Sequence, residues 1–198
     1  MKQLIKKLRS DLYAKPIPGV VLNDLMEVKL KKLAKKYKHD SEALWIGSYV
    51  ADLFIVEARR DTGNHMNHLP IASEYAKNEL FPNYNFTDHQ QEIILEIIEK
   101  HHSSEEKKYI ETKLFTNADC FKFLEPKGAF HLFGAVYGRE GGDFKKAIDM
   151  VMFKAQEKYD LVDLDKETIV EATLLYDKLM WMLERSGAEL LVPEVYKD

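Results

Sequence analysis

The sequence predicts an all-α protein: a single-domain bundle of about eight or nine helices. Three observations carry that expectation. Nearly every long apolar pattern repeats at the helical period, as in Val21, Leu22, Leu25, Val28, Leu30, Leu33, Ala34 and Tyr37. No stretch alternates apolar and polar residues for long enough to form a strand, and neither an internal repeat nor a low-complexity segment is present. Ala43–Ala58 is apolar around almost its whole circumference, which marks a helix at the centre of a globular core. With 198 residues the chain can fill one well-cored domain spanning positions 1–198, whereas two would be cramped.

Composition narrows the function classes. The formal net charge of −4 supplies no global basic field, so nucleic acid is not an expected partner. The six lysines between Lys29 and Lys38 are better explained as a solvated face favoured by a helix C-terminal dipole. A single cysteine, Cys120, excludes an internal disulfide framework and fits a cytoplasmic setting, where it is expected to be a buried thiol. The N-terminal Met-Lys-Gln-Leu-Ile-Lys-Lys-Leu lacks the apolar centre of a signal peptide, and no membrane-spanning segment is expected.

Taken in order, residues 2–13 form a short amphipathic helix that ends before Pro16-Ile17-Pro18-Gly19. A second helix runs over 20–37, and Asp40 or Ser41 then caps the buried helix. A polar loop, Asp61-Thr62-Gly63-Asn64, leads into His65 and His68 and a helix lasting to about Leu80. Phe81–Asn85 interrupts it. Thr87-Asp88-His89-Gln90 reads as the capped start of a helix with Ile93, Ile94, Ile97 and Ile98 inward, and it delivers His101-His102 at its end. Helices follow over 109–124, 129–137, 143–158 and 166–185, with a loop at 138–142 and a short tail over 187–198.

Asp52 is the anomaly, since a lone carboxylate inside an apolar helix is costly unless something cationic or hydrogen-bonding meets it. The histidines are its candidate partners. Asp52, His68, His101, His102 and Asp119 are spread over four predicted helices or their ends. Imidazoles and carboxylates together suit manganese, iron, nickel or zinc, and helix bundles build such sites from facing helices. Taken singly, each histidine is more often a surface or helix-capping residue than a ligand. His89 and His131 are read as uninvolved, and His65 at most as a supporting group. No glycine-rich phosphate loop competes: Gly-Arg-Glu-Gly-Gly at 138–142 lacks a preceding strand and a Lys-Ser/Thr ending.

The order and spacing of these residues resemble the HD-domain superfamily of metal-dependent phosphohydrolases. Val50-Ala51-Asp52-Leu53 resembles that family's buried His-Asp pair, His68-Leu69-Pro70 its third motif, and Ile97-Ile98-Glu99-Lys100-His101-His102 its fourth. Asn117-Ala118-Asp119 resembles the last. The likeness covers about residues 20–185. Two departures accompany it. Ala51 stands where the family has the histidine of its pair, and Asp24 stands in place of an early histidine. His39-Asp40 is not the pair, because it follows an exposed lysine-rich helix end.

The resemblance implies a divalent-metal-dependent phosphohydrolase acting on a phosphomonoester or phosphodiester, nucleotide-like in character. Its metal ligands would be Asp52, His68, His101, His102 and Asp119, with Asp52 and Asp119 at the catalytic step. Asp24 is a substitute ligand, and Lys113 and Arg139 are candidates for holding substrate phosphates. The two missing imidazoles imply one ion rather than two. Ala51 equally supports a reading as an HD-fold ligand-binding or interaction protein that no longer hydrolyses anything.

Overall fold

The computed structural model describes residues 1–188. Every regular element among them is helical, as the apolar periodicity requires, and no helix is long and apolar enough to cross a membrane. The chain groups into two compact units, Met1–Asp119 and the part from Cys120 onward. Of the expected 187–198 tail, residues 189–198 lie outside the described residues.

In the first unit, α1 (Lys2–Tyr13) buries Leu4, Leu8 and Leu12, spaced four apart, and packs that stripe against α3. α2 (Val20–Ala34) starts behind Gly19, whose φ of 86° is open to glycine and strained for other residues. Of its lysine run, Lys31, Lys32, Lys35, Lys36 and Lys38 are exposed as expected, but Lys29 is buried. α3 (Ser41–Ala51) is capped by Asp40, whose Oδ1 accepts from Ala43 N at 2.9 Å.

The expected single helix over Ala43–Ala58 is corrected here. It ends at Ala51, and α4 (Ile55–Thr62) begins after a tight turn. In that turn Leu53 N bonds Val50 O and Ile55 N bonds Asp52 O, three residues apart. Asp52 is therefore not inside a helix but the residue that ends one, with φ −100° and ψ 2°.

A short 3-10 turn, His65–Asn67, leads into α5 (His68–Tyr75), which continues through a π-helical turn at Ala76–Leu80 into α6 (Phe81–Asn83). The run thus extends past the predicted interruption at Phe81. α7 (Asp88–Lys100) opens with the capping box read from the sequence, Thr87 and Gln90 bonding each other's backbone at 3.2 Å. α3 packs along α7, and α5 packs against both.

α8 (Ile110–Leu124) is moored by Glu96 of α7. That carboxylate accepts from Lys108 N at 2.8 Å, Tyr109 N at 3.0 Å and Thr112 Oγ1 at 2.7 Å, so it meets the donor-rich, positive start of the helix. Glu111 holds the other side by accepting from Asp40 N at 2.5 Å. Replacing Glu96 with alanine is expected to destabilise the protein by about 2 kcal/mol, because three donors lose a charged acceptor. Glu96→Gln should recover part of that loss. Urea midpoints compare the two, and equal midpoints for Glu96→Ala and native protein would refute the mooring.

The second unit holds α9 (Pro126–Arg139), α10 (Phe144–Tyr159) and α11 (Lys166–Ala188). α10 packs against both others around Phe121, Leu124, Val151, Ala155 and Leu179. Asp143 caps α10 by accepting from Lys146 N at 3.0 Å.

Candidate metal centre

Four side chains predicted from the sequence meet in the first unit. Asp52, His68, His101 and His102 each place a ligand-capable atom within 4.8 Å of all the others. The helices deliver them by their ends. Asp52 terminates α3, His101 terminates α7, and His68 is the first residue of α5.

Each buried imidazole is oriented by backbone. His68 Nδ1 lies 2.5 Å from His65 O, and His101 Nδ1 lies 3.0 Å from Ile97 O and 3.1 Å from Ile98 O. A carbonyl oxygen only accepts, so each Nδ1 carries the proton and each neutral ring presents the Nε2 lone pair on its other side. Neither Nε2 has a hydrogen-bond partner. Both face the same oxygen: Asp52 Oδ1 is 3.6 Å from His68 Nε2 and 3.5 Å from His101 Nε2. These separations exceed ordinary hydrogen bonds, and in this tautomer neither partner has a proton to give.

Three lone-pair donors converging on one point repel one another unless a cation lies between them. The backbone adds to the same field, since the carbonyl ends of α3 and α7 bring negative partial charge to Asp52 and His101. A proton is a poor answer at His68, whose pKa is pushed below its ordinary value, chiefly by burial, with Asp52 opposing the shift. A divalent ion suits the donor set: neutral imidazoles with fixed tautomers, one carboxylate, and backbone carbonyls behind the rings.

The surroundings are fully buried on one side and slightly exposed on the other. His68 and His101 are fully buried, and the His101 ring packs 5.3 Å from that of Phe115. The His102 side chain keeps 13 % exposure, and its Nδ1 lies 4.0 Å from Oδ2 of the buried Asp119. The His101 and His102 rings lie with centroids 3.9 Å apart, tilted 42° to one another, and His68 meets His102 edge-on at 5.6 Å.

Other sequence candidates lie elsewhere. Asp24 is exposed and accepts from Tyr13 Oη at 2.9 Å, so it is not among the converging ligands. Ala51 is buried beside Asp52 and brings no donor. Lys113 is half-buried on α8. Arg139 belongs to the second unit and pairs with Glu140 at 2.9 Å. His65 is exposed, and its backbone carbonyl is what supports His68. Asp40 is engaged in capping α3, and His39 Nδ1 contacts Tyr37 O at 2.9 Å.

Sequence reading missed the backbone carbonyls of His65 and Ile97, and it missed Phe115 and Glu96. Only the i→i+3 and i→i+4 spacings of the histidine–carbonyl pairs left a trace in the sequence.

Comparison of the chain with protein-family models, with curated proteins and with solved structures gave no match. What the fold and site define is an all-helical protein with a buried Asp/His cluster able to hold a metal ion.

Proposed function

We propose that this chain is a divalent-metal-dependent phosphohydrolase of the HD type, acting on a phosphomonoester or phosphodiester of nucleotide-like character. The observation that carries the proposal is the convergence of His68 Nε2 and His101 Nε2 on Asp52 Oδ1. The helical fold is compatible with that type, and the order of the ligands along the chain resembles it.

Asp52, His68, His101 and His102 would hold manganese, iron, nickel or zinc. The ion would polarise a phosphoryl oxygen and lower the pKa of the attacking water. The Nδ1–H donors of His68 and His101, tied to carbonyls, keep both rings aimed at one point. Burial on the Phe115 side excludes bulk water, so a substrate approaches at the partly exposed His102. Asp119, with Oδ2 4.0 Å from His102 Nδ1, faces that imidazole and is the carboxylate that would take a proton from the attacking water. Lys113 is the cation on α8 retained for a substrate phosphate, and Arg139 is assigned no role. Buried Ala51 and exposed Asp24 favour one ion over two.

Ala51 also favours a second reading, a protein that binds metal without hydrolysis. Metal content of the purified protein, followed by reloading after chelation with each of the four metals, is the first test. About one equivalent per chain is expected. Phosphate release from a panel of nucleotides and simple phosphoesters then separates the readings. Metal-dependent release supports the hydrolase, and tight metal without release supports the binding protein. A chain that binds none of the four metals sinks both.

A further inference from the structure

Gly47 lies in the middle of α3, where glycine costs a free helix about 1 kcal/mol relative to alanine. Tertiary packing accounts for it. A Cβ at this position would fall 2.7 Å from Ile97 Cδ1, 3.1 Å from Ile97 Cβ and 3.2 Å from Ile97 Cγ2. The Cδ1 methyl can swing aside, but Cβ moves only with the α7 backbone, and Cγ2 only by leaving the χ1 rotamer that a helix favours for isoleucine.

The contact sits one turn behind the metal centre on both helices. Asp52 follows Gly47 by five residues at the end of α3, and His101 follows Ile97 by four at the end of α7. Ile97 also acts through its backbone, since its carbonyl oxygen receives His101 Nδ1–H at 3.0 Å. One residue therefore supplies both the surface that meets Gly47 and the acceptor that aims the His101 ring.

We propose that Gly47 is a positioning residue of the metal centre: by lacking a side chain it lets α7 approach α3 closely enough for Asp52 and His101 to share one ion. The inference rests on the metal-centre reading above. Metal bonds tolerate only about 0.2 Å of error, so a displacement of a few tenths of an ångström matters there while remaining small for helix packing. The three atoms nearest a Cβ at Gly47 all belong to Ile97, so the effect passes through that residue.

The test is a cycle of native protein, Gly47→Ala, Ile97→Ala and Gly47→Ala/Ile97→Ala, with zinc alone as probe and affinity read by competition with a chromophoric chelator. Circular dichroism checks that each variant is folded. Gly47→Ala is expected to weaken zinc binding by about 10-fold to 100-fold with helix content retained. In the Ile97→Ala background, which lacks Cγ2 and Cδ1 and leaves room for the helices to approach, the same change should cost less than about 3-fold. Unchanged affinity in Gly47→Ala, or an equal loss in both backgrounds, overturns the inference. Should Gly47→Ala not fold, the double variant decides. Binding within about 3-fold of Ile97→Ala supports the inference, and a loss of 10-fold or more overturns it. Failure of the native protein to bind zinc, iron, nickel or manganese would instead remove the metal-centre reading itself.

Discussion

Asp52→Asn is expected to abolish the thermal stabilisation that a divalent metal gives the native protein, while the metal-free variant should melt no lower than metal-free native protein. The two halves of this result have one cause. In the native chain Asp52 Oδ1 faces the lone pairs of His68 and His101 at 3.6 and 3.5 Å, at the carbonyl end of α3. Without an ion that arrangement is electrostatically unfavourable. An asparagine amide removes the charge and can turn an N–H toward either imidazole, so the repulsion at Oδ1 is relieved in the metal-free fold. With metal present the comparison reverses. Native protein at a metal concentration 100 times its Kd should gain about 2.7 kcal/mol, and the variant close to none. Melting curves of both proteins, after chelation and after addition of zinc or manganese, measure the two halves together. A metal-free Asp52→Asn protein that is clearly less stable than its native counterpart would show that the carboxylate serves the fold instead of a cation. An equal metal response in both would place the metal elsewhere.

The stability of metal-free protein is expected to fall as pH drops below about 6.5, and His68→Gln should remove most of that slope. His68 is fully buried and its pKa is held below the ordinary 6.5, first by burial and further by His101, against the opposing charge of Asp52. In the unfolded chain the same side chain titrates near 6.5. Below that pH the unfolded state takes up a proton that the folded state refuses. The stability contributed by neutral His68 is thus complete above about 6.5 and diminishes as pH falls, until the folded-state imidazole itself protonates. One such proton corresponds to about 1.4 kcal/mol per pH unit. Metal affinity should weaken over the same range, because the proton competes for Nε2. Urea midpoints between about pH 7.5 and 5.5, for native protein and His68→Gln after chelation, isolate the contribution. Parallel slopes would assign the pH response to other groups.

These expectations join parts of the molecule that were unequally legible. The amphipathic helix at 2–13, the capping box of Thr87 and Gln90 and the inward stripe of Ile93, Ile94, Ile97 and Ile98 are local patterns, and the structure contains them as read. The turn after Ala51 carries no glycine or proline, so periodicity ran through it to Ala58. Asp24 occupied a plausible place in the order of motifs, yet it is exposed and bonded to Tyr13. Nothing in the local sequence marks Gly47, whose role comes from the Ile97 side chain packed against it.

By itself the sequence determined that the chain is helical, which stripes turn inward, and that Asp52, His68, His101 and His102 are residue types able to hold a cation. Those properties follow from neighbours three and four positions apart, and a linear string records them. Only the tertiary structure decided that these four side chains meet, that both buried rings expose Nε2, that Asp24 does not join them, and that α3 ends at Asp52. Each of these depends on distances between helices separated by long stretches of chain, or on which backbone carbonyl lies behind a ring. Such distances are set by packing at single contacts like Gly47 against Ile97, and no local pattern encodes them.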